Sequence, residues 1–241
     1  MPSDRLIAVR ARCAESRLQH EILYKLIPKS VPSRIRFDLA RSCVDLAQEH
    51  HSSVVRLIDG GFHAASAAAL LRPLLEAGSI AFWLMYCAPN HWVQGLHRAC
   101  EGEESTYDTP DLDSALSELR KVFPAIGPLA DGLKNKGPAA WLHKYTHGGV
   151  LQLYRRKLPE HWSTEELIAH VIIADHFANL AAAICTRIYD APELAAYVFP
   201  RRDSLALEIQ AMTGQQAPEG QPAELPVITL KDDWDSRQIP R

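Results

Sequence analysis

Two side chains of opposite charge stand out in the most apolar stretch of the chain, residues 61–88. Arg72 and Glu76 are four residues apart, so on a helix they lie on one face within reach of an ion pair. An unpaired charge in so apolar a helix would cost several kcal/mol, so we expect the two to be paired. Pro73 also leaves the carbonyl of Ala69 without its usual helical donor. The pair is either a structural ion pair beside a proline kink or part of a functional site.

A second candidate cluster is the sequence WLHKYTHGG at residues 141–149, in which His143 and His147 are also four residues apart. These histidines can be metal ligands, a general acid and base, or hydrogen-bonding residues at the edge of the core. A metal would need further ligands, and no H-E-x-x-H or E-x-x-H signature supplies them. Three residues on the next predicted helix are the candidates for these further metal ligands: His170, Asp175 and His176. The two glycines after His147 favour a close approach by another group, such as Arg72.

Helices must position these residues. Residues 33–58 and 62–87 are two long apolar segments separated by an Asp-Gly-Gly break, which predicts an antiparallel helix pair at the centre of the fold. Ser163 and Glu166 form a capping box that opens an almost wholly apolar helix to residue 189. Asp190 and Glu193 repeat the arrangement and predict a last helix, interrupted near Pro200. Shorter helices are predicted over 91–104 and 111–123, followed by a loop-rich stretch containing several prolines and glycines.

These elements predict an all-α protein, a helical bundle of about six or seven helices with a long antiparallel central pair. Three regions follow from the pattern: an N-terminal helical arm over 1–32, the bundle domain over 33–213, and a Pro-rich C-terminal tail over 214–241 that is disordered or lies on the surface.

The composition narrows the function classes. Of 241 residues, 47% are hydrophobic and 23% charged, as in an ordinary globular protein. The net charge of −3 argues against attraction of nucleic acid to the whole surface. The five cysteines form no C-x-x-C pair, and the N-terminus lacks the apolar run of a signal peptide. Charges inside the apolar stretch disfavour a membrane span, so we expect a cytoplasmic protein that does not contact a membrane. The sequence contains no cofactor-binding motif and no complete metal-ligand signature, so we expect neither a cofactor nor a bound metal.

The segments GFHAA at 61–65, LLRPLLEA at 70–77 and YTHGG at 145–149 resemble a set of uncharacterised bacterial helical proteins, which are in turn similar to HEPN domains. HEPN domains are short helical bundles that include RNA-cleaving toxins and defence nucleases. Their nucleases carry arginine, four to six residues and then histidine. That spacing occurs here from Arg56 to His63 and from Arg155 or Arg156 to His161, about as often as chance predicts.

Two functions are therefore expected. The resemblance implies a metal-independent RNA-cleaving enzyme in which a histidine removes the ribose 2′-OH proton and Arg72 stabilises the charge on the phosphorane. We place its candidate catalytic residues at Arg72, Glu76, His143 and His147. The alternative is a non-catalytic helical module that binds a small ligand or, through the C-terminal tail, a partner protein. Its polar residues would then be structural, and a homodimer is compatible with either function.

Overall fold

The computed structural model describes residues 2–61, 63–103, 106–133, 141–146 and 162–213, together with positions 153 and 157. This part of the chain is all-α, as predicted, and contains no strand. Its helices are α1 (Pro2–Leu26), α2 (Ile35–Asp59), α3 (Ala64–Tyr86), α4 (Asn90–Cys100), α5 (Leu112–Val122), α6 (Gly127–Leu133), α7 (Trp141–Thr146), α8 (Thr164–Tyr189) and α9 (Pro192–Thr213). The predicted tail, 214–241, lies outside the described residues.

The predicted central pair is confirmed as α2 and α3, which form the most extensive helix contact. The turn between them is closed by a hydrogen bond from the His63 amide to the Leu57 carbonyl, 2.9 Å long. On the facing sides small and branched residues are completely buried, among them Val44, Val54 and Leu71. Because apolar residues recur at helical spacing along both segments, burying these stripes against each other drives the pairing.

The buried helix α8 packs on α2, α3, α9 and α1. Its start follows the predicted capping box: Ser163 Oγ accepts from the Glu166 amide at 3.1 Å, and Glu166 Oε2 accepts from the Ser163 amide at 2.8 Å. The prediction for Asp190 was wrong. With φ at 48° this residue ends α8 in the left-handed region that asparagine and aspartate tolerate, rather than opening the next helix.

The bundle has more helices than the six or seven predicted, because short elements form within the stretch interpreted as loop. Pro124–Ile126 is a single 3₁₀ turn, with proline at a position that needs no backbone donor, and α6 follows it directly. The helix predicted over 111–123 is α5. Asp111 is its N-cap, and the Asp111 side chain accepts from the Ser114 amide at 2.8 Å.

Two helices, α3 and α8, are long and apolar enough to cross a membrane by length and composition. Their most apolar windows are 67% and 72% buried inside the bundle, respectively. The buried core helix of a soluble protein passes the same test of length and composition.

Candidate functional site

The predicted ion pair of α3 is present. Arg72 Nε lies 3.4 Å from Glu76 Oε1, with the two side chains 16% and 39% exposed. The pair therefore sits at the border of the bundle, reachable by solvent. Hydrogen bonds from Ser114 hold the pKa of Asp111, the N-cap of α5, below its usual value, and the Arg72 charge contributes to this shift. Arg72 therefore pairs with Glu76 and also acts electrostatically on a carboxylate at the start of α5.

Helix α7 packs against α3 at the proline kink. Thr146 Oγ1 lies 3.4 Å from the Ala69 carbonyl, the group that Pro73 deprives of its helical donor, and 3.0 Å from the Leu142 carbonyl. Leu142 and Tyr145 are buried on the same side of α7. The end of α7 is therefore anchored within one turn of Arg72.

Of the two predicted histidines, the structure describes His143 but not His147. His143 is exposed on α7, the helix next to that of Arg72. His147 and the glycines that follow it lie outside the described residues, as do Arg155, Arg156 and His161. The structure therefore brings α7 to the turn that precedes Arg72 and leaves the role of His147 a prediction.

The three histidine and aspartate candidates of α8 point to different surroundings. His170 lies within an aromatic cluster, with ring centroids 4.9 Å from Trp162 and 5.9 Å from Trp141. Asp175 faces α1 and α2, and His176 faces a groove beside α9. Among the described residues no group of three or more histidine, cysteine, aspartate or glutamate side chains can hold a metal ion.

Asp175 is the centre of a buried polar cluster that the sequence did not reveal. Its Oδ1 accepts from Ser16 Oγ at 2.5 Å and lies 2.7 Å from His51 Nε2, while its Oδ2 accepts from Arg12 Nη2 at 2.5 Å. Burial by itself raises the pKa of Asp175, but the hydrogen bonds and charges of His51 and Arg12, with the bond from Ser16, hold it below its usual value. Arg201 of α9 lies 3.8 Å from Oδ2. The cluster joins α1, α2, α8 and α9.

Serine, histidine and aspartate together suggest a nucleophile triad, and the geometry excludes it. One ring nitrogen, His51 Nε2, approaches both Asp175 and Ser16, the latter at 3.1 Å. A triad uses the two ring nitrogens for different partners, so that the base can take a proton from serine while aspartate orients it. Ser16 is also completely buried. We therefore interpret the cluster as a structural anchor that holds α1 against the bundle. Its members lie far apart along the chain, as expected for contacts that join different helices.

An apolar groove runs between α3, α5, α6, α8 and α9 and has a volume of about 660 Å³. We call this surface the apolar groove and define it by Leu75, Phe82, Leu119, Ile126, Phe177 and Ala206. Gly78 lies in its wall, where a Cβ atom would come within 3.3 Å of the Ala181 Cβ, so the glycine permits the close approach of α3 and α8.

Four polar or charged residues line the apolar groove: Ser79, His176, Arg202 and Asp203. His176 Nδ1 is sealed from solvent and has no hydrogen-bond partner in the described part of the chain. Burial lowers the pKa of His176 to about 4, with the positive charge of Arg202 contributing, so the ring is neutral at pH 7. Arg202 itself lines the groove, lies over the Phe199 ring at 5.5 Å and pairs with Asp203. The groove could not be predicted from histidine spacing or from composition. It is formed by five helices that are separate along the chain, so it exists only in the packed bundle.

The model of DUF6988, a family of unknown function, matches residues 44–204, which is more than half of the chain. The matched region contains Arg72, Glu76, Asp175 and His176, and it excludes α1 with Arg12. No curated protein and no solved structure matches the chain.

Proposed function

The chain belongs to DUF6988, and we propose that it is a non-catalytic helical module that binds a small, mainly apolar ligand in the apolar groove. The observation that carries this proposal is the groove itself: about 660 Å³, lined mainly by leucine, phenylalanine and alanine, with four polar or charged side chains. Small-molecule sites have volumes of roughly 300–1,000 Å³ and this same combination of apolar walls and few polar anchors.

The surroundings of Arg72 support a binding module over an enzyme. Arg72 Nε lies 3.4 Å from Glu76 Oε1, and the charge of Arg72 also acts on the Asp111 carboxylate, whose pKa it helps to lower. Both carboxylates would repel a phosphate, which makes a structural ion pair the better account of these residues.

Binding can be tested with a neutral fluorescent probe such as N-phenyl-1-naphthylamine. We expect saturable binding to the wild type and its loss in Ala206→Trp, because the indole would fill the apolar groove. Leu207→Trp is the matched control, since Leu207 is the next residue of α9 and is 63% exposed. Equal probe binding by both variants would contradict the proposal.

A second candidate function is RNA cleavage of the HEPN type. The observation in its favour is the contact of Thr146 with Ala69, which anchors the residue before His147 within one turn of Arg72. In this mechanism His147 or His143 removes the 2′-OH proton, Arg72 stabilises the phosphorane, and no metal takes part.

This second function is tested by incubating the protein with total cellular RNA in EDTA. Cleavage by the wild type that is lost in His147→Ala and Arg72→Gln supports it, provided that His91→Ala, an exposed histidine of α4, remains active. If the wild type leaves RNA intact with and without divalent metal, the hypothesis that the protein is a nuclease is wrong.

A further inference from the structure

We propose that the chain carries its own occupant for the apolar groove: residues 225–230, with the sequence LPVITL, bind there and compete with the ligand. This proposal concerns the regulation of the ligand site and rests on the proposed function. Residues 214–241 lie outside the described part of the chain, and three features point to them: the surface of the groove, the position at which α9 ends, and the sequence of the tail.

The surface of the apolar groove is open to a further occupant. Its two ionised side chains, Arg202 and Asp203, pair with each other at 2.8 Å, so the lining selects no charged group. Contiguous apolar surfaces exposed to water mark sites of interaction. An uncharged apolar segment therefore suits this surface. Several large apolar side chains of the groove are only partly buried: Phe82, Ile126, Leu129 and Leu180.

Helix α9 delivers the tail close to the apolar groove. Ala206 lines the groove and lies seven residues before Thr213, the last residue of α9. At about 1.5 Å per helical residue, the chain leaves α9 roughly 10 Å beyond Ala206. Residues 214–224 span up to roughly 36–40 Å when extended, so residues 225–230 can reach back to the groove. A short linker gives the segment it carries an effective concentration on the order of millimolar, so even weak contacts lead to occupancy.

Residues 225–230 are the apolar part of an otherwise polar tail. They contain four of the five leucine, isoleucine and valine residues of 214–241, and the fifth is Ile239. Side chains alternate between the two sides of an extended segment, which puts Ile228 and Leu230 on one side and Thr229 on the other. The side with Ile228 can therefore cover the groove while the threonine hydroxyl stays in water.

The test compares binding of N-phenyl-1-naphthylamine by full-length proteins. Ile228→Asp puts a charge into the segment, and burying an unpaired charge in an apolar groove is unfavourable. If the groove is open in about a tenth of wild-type molecules, freeing it tightens probe binding about tenfold, which is the result expected for Ile228→Asp. Ile239→Asp, the same substitution outside the segment, is the matched control and should bind the probe as the wild type does.

A synthetic peptide of residues 224–231 provides a second measurement. Added to the full-length Ile228→Asp protein, the peptide should displace the probe, whereas the same peptide carrying Ile228→Asp should not. Combining Ala206→Trp with Ile228→Asp in the protein should abolish binding of both the probe and the peptide, because the indole fills the apolar groove.

The outcomes separate this proposal from the ligand site on which it rests. Equal probe affinity of the wild type, Ile228→Asp and Ile239→Asp, with binding lost in Ala206→Trp, overturns the tail as occupant and leaves the groove as a ligand site. Failure of all these proteins to bind the probe overturns both. If Ile228→Asp binds more tightly and also halves the molecular mass in solution, the segment occupies the groove of a second copy, and the proposed contact within one chain is wrong.

Discussion

Asp175 is the residue on which most of the buried polar contacts converge. Its side chain is 6% exposed and is shared by Arg12, Ser16 and His51. Its two oxygens hold helices that are far apart in sequence, because a carboxylate accepts several hydrogen bonds at once. Without it, the partially enclosed guanidinium of Arg12 would lose its closest counter-charge.

We therefore predict that Asp175→Asn destabilises the protein by about 3–5 kcal/mol, the usual cost of breaking a buried ion pair from one side. Urea unfolding followed by circular dichroism measures this. Asp45→Asn is the control, because Asp45 pairs with Arg41 while 56% exposed. A loss as small as that of the control would show that the cluster contributes little.

Glu76, unlike Asp175, pairs with its arginine at a position exposed to solvent. Its pairing with Arg72 spans 3.4 Å at a solvent-reachable position, with the Glu76 side chain 39% exposed. Exposed pairs contribute little, so we predict that Glu76→Ala lowers the free energy of unfolding by at most about 1 kcal/mol. This is less than the 3–5 kcal/mol expected for a fully buried pair. A loss near that larger value in chemical denaturation would contradict the prediction.

At the scale of elements, helix ends depend on single caps. The capping box of Ser163 and Glu166 pairs two backbone donors at the start of α8, which would otherwise have no partner in the helix.

Ser163→Ala should therefore lower the free energy of unfolding by about 0.5–2 kcal/mol. The matched control is Ser204→Ala, an exposed serine inside α9, for which we expect a change within about 0.5 kcal/mol. Thermal melts of the two variants compare them directly, and equal melting temperatures would argue against the cap.

At the scale of the whole molecule, two histidines couple stability to pH. The pKa of His20 is lowered to about 4 by burial and by the adjacent His51, whose ring centroid is 5.1 Å away, and that of His176 is lowered to about 4 by burial and Arg202. In the unfolded chain both return toward 6.5. Between these values the unfolded state binds more protons, so stability falls as the pH falls from about 6.5 to about 4.

Urea unfolding at a series of pH values measures this slope. We predict that the double variant His20→Gln and His176→Gln has a flatter profile between pH 6.5 and 4 than the wild type. Below about pH 4 the protein should lose further stability, because the pKa of Asp175 is held below its usual value in the folded state. The double variant should show this loss too, since it keeps Asp175. A wild-type profile that is flat from pH 6.5 to 4 would contradict the prediction.

The C-terminal tail should be dispensable for folding. Residues 214–241 follow the last described helix and are rich in proline and glutamine. Truncation after Thr213 should leave a single cooperative melting transition in calorimetry. Loss of cooperativity would show that the tail is part of the core.

The sequence by itself determined the features that depend on neighbours along the chain. The all-α class, the central pair α2 and α3, the capping box at Ser163 and the Arg72 to Glu76 pair all follow from helical spacing and helix-end chemistry, which act over a few residues. Asp190 shows the limit of this reasoning, because the same residue type caps a helix start or ends a helix in the left-handed region.

The tertiary structure alone decided which distant residues meet. Asp175 contacts Arg12 across 163 residues, and no periodicity in either helix records that contact. The apolar groove likewise depends on how closely α3 approaches α8 at Gly78 and on where α5, α6 and α9 leave space. Apolar stripes specify that a face is buried but not against which partner, because the hydrophobic effect is non-directional; the packing of the whole bundle selects the partner.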